Sequence, residues 1–175
     1  MIEAKLRSVI RDIPDFPKPG IVFKDITPIF KDPQLCTEII DAFVARLDGK
    51  PIDVVAGIES RGFFFGLLLA NRLRLPFVPI RKQGKLPYKT VQQSYNLEYG
   101  SETIEMHEDA IEKGQQVLIH DDLLATGGTV EATSRLIEKQ GGIITGYTFL
   151  ISLGFLKGSE KVNKFSDSII SLAEF

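Results

Sequence analysis

Four short apolar runs, separated by segments with helical periodicity, restrict the fold more than any other feature of this chain. The runs are DVVAG, PFVPI, VLIH and IITGYTFLISL, at residues 53–57, 76–80, 117–120 and 143–153. Strands that are apolar on both faces and alternate with helices are typical of parallel sheets covered by helices on both sides. The sequence therefore predicts an α/β fold in which a mostly parallel, twisted sheet is flanked by helices.

Segments with helical patterns precede and separate these runs. They cover residues 2–12, 33 to about 47, 62–74 and 130–140. Asp32 and Pro33 favour the start of the second helix, because aspartate caps free amides and proline fits the first helical position. The third segment is apolar nearly all round, which predicts a buried helix.

Length, charge and cysteine content narrow the class of protein. A chain of 175 residues has the size of one domain. Its net charge of −2 argues against non-specific binding to nucleic acid or to an anionic membrane. The longest apolar run, residues 63–70, is far shorter than the ~20 residues of a membrane span. The single cysteine, Cys36, excludes an internal disulfide framework, so we expect a cytoplasmic protein.

Ligands of parallel α/β sheets bind where the strands end at their carboxyl side. That rule selects three loops in this sequence, namely IESRG after the first run, RKQGK after the second and DDLLATGGT after the third. We expect the three loops to converge on one cleft.

The third loop contains a glycine-rich turn at the start of a predicted helix. The turn consists of Ala125, Thr126, Gly127, Gly128 and Thr129. Free amides and the helix dipole attract an anion there, and glycines let it approach the backbone closely. The turn is not a Walker A loop, which requires Gly-Lys-Ser/Thr. The pattern predicts a phosphate site.

Two adjacent carboxylates, Asp121 and Asp122, come shortly before this turn. Ionised carboxylates only accept hydrogen bonds and repel a phosphate, so they require hydroxyl groups or a metal ion. A ribose offers two neighbouring hydroxyls, and a ribose phosphate therefore suits both the aspartates and the turn. The alternative is a pair of solvated loop acids beside an ordinary tight turn.

The segment HDDLLATGGT resembles the phosphoribosyl pyrophosphate motif of type I phosphoribosyltransferases. The resemblance extends to PDFPKPGIVFKDITPI, GIESRGFFFG, RKQGKLP and YNLEYG, and it weakens only after about residue 157. It implies the type I fold as one domain over residues 1–175. It also implies a base-binding hood within residues 1–30 and a flexible catalytic loop at 82–99.

The same resemblance implies an activity. The expected reaction transfers the 5-phosphoribosyl group from 5-phosphoribosyl 1-pyrophosphate to a purine and releases pyrophosphate. Resemblance to the adenine-using members favours adenine, with AMP as the product. Members of the family use Mg2+, held mainly by substrate and water, and form homodimers in which the arginine matching Arg81 reaches the partner's site.

The resemblance assigns the pyrophosphate to two loops. Glu59, Ser60 and Arg61 match the family's first pyrophosphate loop, in which a cis peptide bond is typical. The cations Arg81, Lys82 and Lys85 follow the second strand and would stabilise the charge of the leaving group. The alternative for these cations is a solvated basic loop.

The base and the acid/base group are assigned in the same way. Val22, Phe23 and Lys24 match the hood, and Arg61 can pack on the base. Lys24 stands where arginine is common in the family, which weakens the expectation of a side-chain contact. Glu98 matches the catalytic acid/base. Alternatively, Val22 and Phe23 are core residues of a short strand, and Glu98 is an exposed strand residue.

Other functions remain open at this point. Hypoxanthine or guanine could replace adenine, because backbone groups read much of the purine edge. A regulator that senses phosphoribosyl pyrophosphate without catalysis is the alternative from another class, although it would need a surface for nucleic acid. The two histidines, His107 and His120, have no partners at ligand spacing, which argues against a zinc site.

Overall fold

The computed structural model describes residues 1–97 and 100–175. Its described strands, in chain order, are β1 Arg11–Pro14, β2 Val22–Asp25, β3 Val54–Ile58, β4 Phe77–Lys82, β5 Thr90–Asn96, β6 Ser101–His107, β7 Gln116–Leu124, β8 Ile143–Ser152 and β9 Ile169–Glu174. The described α-helices are α1 Ile2–Val9, α2 Pro33–Arg46, α3 Gly62–Leu73, α4 Gly128–Lys139 and α5 Gly158–Val162.

Seven strands form one twisted sheet in the order β5-β6-β4-β3-β7-β8-β9. The pairs β3–β4, β3–β7, β7–β8 and β8–β9 are parallel. The predicted parallel α/β sheet is confirmed, and all four apolar runs lie in it. An antiparallel hairpin, β5–β6, extends the sheet beyond β4.

Alternate residues of the central strands point to opposite faces of the sheet and enter two separate cores. Val54 and Ala56 pack in the cluster that includes α4, whereas Val55 packs in the cluster formed by α1, α2 and α3. Leu118 of β7 follows Val55 into the second cluster. Because both faces are covered, these strands read as continuous apolar runs in the sequence.

The N-terminal helix is shorter than predicted. It ends at Val9 rather than at residue 12, and Arg11–Pro14 pairs with β2 as a two-stranded antiparallel ribbon. Ion pairs between Arg11 and Asp25 and between Lys24 and Asp12, both at 2.6 Å, link the two strands. The helical periodicity therefore extended into a strand whose partners lie 8 to 14 residues further along the chain.

The second helix begins as predicted. Asp32 Oδ1 accepts a hydrogen bond of 3.0 Å from the Leu35 amide, and Pro33 occupies the first position of α2. The predicted burial of the third helix was wrong for one of its faces. Phe64, Leu67 and Leu68 of α3 are 50, 55 and 48% exposed, while Phe65 and Leu69 on its other side lie in the core.

The segment predicted as a flexible loop, residues 82–99, contains regular structure. It comprises the last residue of β4, a turn, and all of β5, which pairs with β6 from Thr90 to Asn96. The carboxylate of Glu105 on β6 organises the turn, because it accepts hydrogen bonds of 3.0 Å from the amides of both Lys85 and Leu86. The mobility of this segment stays a prediction.

Across the described residues, no helix combines the length and apolar character needed to cross a bilayer.

Candidate active site

A cavity of about 250 Å3 opens at the carboxyl ends of β3, β4 and β7. The three loops selected from the sequence meet there. Its lining includes Glu59, Ser60, Arg61, Arg81, Lys82, Tyr95, Glu102, Asp121, Asp122 and Thr129. Carboxylates, cations and hydroxyls thus share one concave site, as expected of a pocket for a charged, hydroxylated ligand.

The two aspartates lie on β7 itself and not in the loop that follows it. The parallel pairing with β8 continues past the apolar run, with Asp121 opposite Phe149 and Leu124 opposite Ser152. The strand therefore ends at Leu124, four residues later than the apolar run predicted, because a β-strand tolerates polar residues where its end borders a cleft. Strand geometry fixes both carboxylates more rigidly than a loop would.

Asp122 forms an ion pair with Arg61 in which a buried carboxylate oxygen carries no hydrogen bond. Its side chain is 6% exposed, and Oδ2 lies 3.0 Å from Arg61 Nε. That approach does not align as a hydrogen bond, and Oδ2 has no hydrogen-bond partner within the described part of the chain. A buried acceptor of this kind is costly to leave unpaired, so the site favours a ligand that brings a donor.

Burial raises the pKa of both aspartates. For Asp121 the negative charge of Asp122 adds to the effect, and for Asp122 the guanidinium of Arg61 opposes it. Asp121 keeps some solvent contact where it lines the cavity, and its Oδ1 accepts 2.8 Å from the Asp122 amide. The pair is therefore less stable when fully ionised than two ordinary surface carboxylates.

We expect Asp121→Asn to raise the melting temperature at pH 7 by about 2–4 °C, equivalent to roughly 1 kcal/mol for a chain of this size. The amide retains the acceptor for Asp122 and removes the buried charge. Because the pKa of Asp121 is higher in the folded than in the unfolded state, its ionisation costs stability as the pH rises from the ordinary value through the raised one.

The gain should accordingly be largest at neutral pH and should disappear near pH 4, where the carboxyl is protonated. Thermal unfolding measured at several pH values between 4 and 8 tests this. A variant that melts at or below the wild-type temperature at pH 7 would contradict a destabilising charge at this position.

The glycine-rich turn has the geometry expected of an anion site. Gly127 caps α4 in the left-handed region at φ 76°, and the helix begins at Gly128. A Cβ on Gly127 would lie 2.7 Å from the carbonyl oxygen of Gly158. A Cβ on Gly158 would lie 2.2 Å from the carbonyl oxygen of Ala125. The start of α5 therefore braces the turn from behind, which the sequence did not reveal.

Glu59 gathers the cations of the cavity. Its side chain is 8% exposed and accepts 3.2 Å from Arg81 Nε and 2.8 Å from the Lys82 amide, with Lys85 Nζ on the other oxygen. Burial would raise the pKa of Glu59, but these hydrogen bonds outweigh it and lower the pKa. Glu59 therefore holds Arg81, which lines the cavity, and Lys85, whose side chain stays 47% exposed.

The peptide bond between Glu59 and Ser60 is cis, in the loop where the family resemblance implied one. Ser60 is exposed at the edge of the cavity, and Arg61 follows it as the residue before α3.

The hood lies beside Arg61. The guanidinium carbon of Arg61 is 4.8 Å from the ring centroid of Phe23, and Phe16 meets the same ring edge-on at 5.1 Å. Val22 is 49% exposed and Phe23 is only partly buried, so neither is a core residue. Phe23 and Arg61 thus pack against each other beside the cavity.

Lys24 is directed elsewhere. Its side chain is 13% exposed, pairs with Asp12 at 2.6 Å and lies 4.4 Å from the ring centroid of Phe175. The structure does not bring the Lys24 amine to the cavity, because cross-strand pairing in the ribbon and the C-terminal ring both engage it. Glu98, the residue predicted as acid/base, and Tyr99 lie outside the described residues.

Two site residues were missed in the sequence. Tyr95 of β5 and Glu102 of β6 line the cavity and are joined by a hydrogen bond of 2.8 Å. Burial raises the pKa of Tyr95 to about 12. The two residues face each other across the hairpin. The sequence does not give the register of this hairpin, and without the register their contact could not be predicted.

His120 has a structural role. It is fully buried, its Nδ1 lies 3.0 Å from the hydroxyl of Thr148, and burial lowers its pKa to about 3. The imidazole is therefore neutral, as expected of a core histidine.

The residues present fit Mg2+ only as an ion held partly by a ligand. Among the described residues, no three His, Cys, Asp or Glu side chains cluster closely enough to hold a metal. Magnesium commonly binds one or two carboxylates together with substrate phosphates and waters. The adjacent carboxylates of Asp121 and Asp122, which both line the cavity, match that mode.

The comparisons with known proteins agree with this geometry. A model of the phosphoribosyl transferase domain matches residues 26–165. The adenine phosphoribosyltransferase of Cytophaga hutchinsonii is 54% identical over 175 residues, which are 100% of this chain and 97% of that protein. That of Myxococcus xanthus is 53% identical over 161 residues, 92% of this chain and 88% of the relative.

Solved structures give the same result. The adenine phosphoribosyltransferase of Thermoanaerobacter pseudethanolicus superposes with a TM-score of 0.96 at 47% identity, over 100% of both chains. That of Saccharomyces cerevisiae, solved with adenine and an imino-altritol bisphosphate, gives 0.92 at 39% identity over 98% of both chains. With a domain match over most of its length and relatives this similar from end to end, the chain belongs to the phosphoribosyltransferase family.

Proposed function

We propose that this chain is an adenine phosphoribosyltransferase, a purine salvage enzyme that forms AMP and pyrophosphate from adenine and 5-phosphoribosyl 1-pyrophosphate. The observation that carries the proposal is the buried, unbonded Oδ2 of Asp122, on a strand that leads directly into the turn at Ala125–Thr129. A ligand with adjacent hydroxyls and a phosphate satisfies both. The relatives named above carry the choice of adenine.

Different residues bind the ribose and the 5′-phosphate of the substrate. Asp121 and Asp122 accept hydrogen bonds from the ribose hydroxyls, and Ala125, Thr126, Gly127, Gly128 and Thr129 hold the 5′-phosphate. The two carboxylates also face the positive charge that develops on the sugar as pyrophosphate leaves, and opposite charge stabilises that transition state.

The pyrophosphate lies between the two basic loops. Arg81, Lys82 and Lys85 carry the positive charge, and Ser60 and Arg61 complete the site. Glu59 holds the Arg81 and Lys85 side chains in place, so we assign it the positioning of these cations rather than direct contact with the phosphates. Neutralising the leaving group lowers the barrier to breaking its bond to the anomeric carbon.

The base binds at the hood, next to Arg61. Phe23 covers the purine face, groups of the Val22 main chain read its edge, and Arg61 stacks nearby. As the purine nitrogen forms its bond to the anomeric carbon, it loses a proton, for which we propose Glu98 as the acceptor. The β4–β5 turn and the hairpin exclude water, which would otherwise hydrolyse the activated sugar.

Mg2+ is the proposed cofactor. When bound, it neutralises and orients the pyrophosphate of the substrate. Asp121 and Asp122 are the residues of this chain that fit its shell, with substrate oxygens and water as the other ligands.

The test is a spectrophotometric assay with phosphoribosyl pyrophosphate and Mg2+ in which adenine, hypoxanthine, guanine and orotate are compared. We expect AMP from adenine and at least 100-fold less product from the other bases, roughly the loss when a site's polar groups are left unpaired. Equal turnover of another purine would contradict the adenine assignment. Binding of phosphoribosyl pyrophosphate without turnover of any base would favour the alternative function, a regulator that senses this compound without catalysis.

We also propose a homodimer and a cytoplasmic location. The exposed apolar face of α3, formed by Phe64, Leu67 and Leu68, supports the dimer, because such contiguous surfaces usually mark interfaces. Within one chain Arg81 pairs with its own Glu59, so its approach to the partner's site rests on the family resemblance. The free Cys36 is consistent with a reducing compartment.

Leu67→Glu is expected to shift the protein from a dimer to a monomer of 19.5 kDa, because a charge would be buried against apolar residues of the second copy. Sedimentation velocity at micromolar concentration measures the change. Ile143→Glu is the matched control, because Ile143 is 48% exposed and Leu67 55%, on a different element. An unchanged mass for Leu67→Glu would remove α3 from the interface.

A further inference from the structure

Tyr95 connects the β5–β6 hairpin to the phosphate turn. Its hydroxyl lies 2.8 Å from Glu102 Oε2 and 3.1 Å from Thr129 Oγ1. Its ring also lies over the turn, because a Cβ on Gly128 would be 3.8 Å from Tyr95 Cδ2. One side chain of the hairpin therefore contacts both the turn and the first residues of α4.

The direction of each hydrogen bond follows from the number of protons available. The carboxylate of Glu102 has no proton to give, so the Tyr95 hydroxyl must donate to it. Tyrosine has one hydroxyl proton, and the Tyr95 oxygen can therefore only accept from Thr129. The single hydroxyl proton of Thr129 is thus directed to Tyr95 and not toward the turn.

The surroundings keep this arrangement in place. Burial raises the pKa of Tyr95 to about 12, so the phenol stays protonated. Hydrogen bonds from Tyr95 and Lys82 lower the pKa of Glu102, so the carboxylate stays ionised. Lys82 Nζ lies 3.1 Å from Glu102 Oε1 and compensates its charge. The chain of polar contacts from Lys82 through Glu102 and Tyr95 to Thr129 therefore forms without a ligand.

We propose that the hydrogen bond from Thr129 to Tyr95 is a latch. A 5′-phosphate opens it by accepting the hydrogen bond of the Thr129 hydroxyl in place of Tyr95. The latch rests on the proposed function, which places the phosphate at this turn. An anionic phosphate oxygen is a stronger acceptor than a neutral phenol, because hydrogen bonds to charged groups are about twice as strong. Tyr95 is then a positioning residue that competes with the phosphate for one donor.

The competition has a measurable consequence. Tyr95→Phe removes the competing acceptor and keeps the ring over the turn. We expect AMP to bind the variant about three- to tenfold more tightly than the wild type, the range that one neutral hydrogen bond provides. The KM for phosphoribosyl pyrophosphate should fall by a similar factor, while kcat changes less, because the reacting atoms are not contacted.

The experiment is titration calorimetry with AMP on the full chain, in wild type, Tyr95→Phe, Thr129→Val and the double variant. Ser94→Ala is the matched control. It removes the Ser94–Thr103 hydroxyl bond of 2.8 Å, one register step away in the same hairpin, and should leave AMP affinity unchanged. In the Thr129→Val background, Tyr95→Phe should not change the affinity for AMP, because the hydroxyl donor for which Tyr95 and the phosphate compete is absent. Melting curves confirm that each variant is folded.

The outcomes separate the latch from the proposed function. If the wild type does not bind AMP, the proposed function fails and the latch with it. If the wild type binds AMP and Tyr95→Phe binds it equally or more weakly, the latch is wrong and the site assignment stands. A tightening that persists in the Thr129→Val background would also overturn the latch, because the effect would not pass through that hydroxyl.

Discussion

Asp122→Asn is expected to lower kcat/KM by about 100- to 1,000-fold, the usual cost of removing one charge-stabilising group from a preorganised site. Asp122 lines the cavity, its side chain is 6% exposed, and its Oδ2 has no hydrogen bond from any described residue. The amide has nearly the same shape, but it replaces an acceptor with a donor and removes the charge that opposes the cationic sugar. Steady-state kinetics with adenine and phosphoribosyl pyrophosphate measure the loss.

A control substitution at the opposite end of β3 separates a loss of catalysis from a loss of folding. Asp53 precedes β3, and its carboxylate accepts 2.7 Å from the Gln116 amide at the start of β7. Asp53→Asn makes the same substitution far from the cavity and keeps an acceptor, so kcat/KM should change by less than about threefold. A small effect of Asp122→Asn in a folded variant would refute a role for this carboxylate in the transition state.

Gly158→Ala is expected to lower kcat/KM by about 100-fold, which is what a displacement of about 1 Å at a catalytic site can cost. The added Cβ would lie 2.2 Å from the carbonyl oxygen of Ala125 and 3.0 Å from the Gly127 amide nitrogen. Both are backbone atoms of the phosphate turn, so the turn itself has to move. The loss should appear mainly as weaker binding of phosphoribosyl pyrophosphate and AMP.

Gly154→Ala provides the matched control in the same segment. The three atoms nearest to its Cβ would all belong to the Glu174 side chain, with Oε1 the nearest, and a flexible carboxylate can rotate away. Gly154 is exposed, whereas Gly158 is buried. Calorimetry with AMP on both variants distinguishes them. Equal affinities would mean that the start of α5 does not support the turn.

The parallel sheet was predictable because its evidence is local. Val54, Val55 and Ala56 are all apolar, and such a run records that both faces of a strand are covered, whichever elements cover them. The capped start of α2 at Asp32 and Pro33 is local in the same sense. The turn at Gly127–Gly128 and the two acids before it likewise allowed a site for a phosphate and hydroxyls to be predicted, because amide geometry and carboxylate chemistry belong to those residues themselves.

The errors have physical causes too. Apolar composition predicted a buried α3, yet Leu67 and Leu68 face outward, since composition does not distinguish a core from a surface that pairs with another molecule. The end of β7 was placed before Asp121, because polar residues usually end a buried strand. Its pairing with β8 as far as Leu124 depends on a strand that comes later in the chain.

The sequence by itself determined the class of the fold and the family, and it marked the glycine-rich turn and the acidic pair, because each depends on neighbouring residues. Only the tertiary structure decided that Gly158 braces the turn, that Glu59 holds Arg81 and Lys85, and that Tyr95 accepts a hydrogen bond from the Thr129 hydroxyl. These contacts join residues more than twenty positions apart. Their partners are set by strand order and register, which local patterns do not encode.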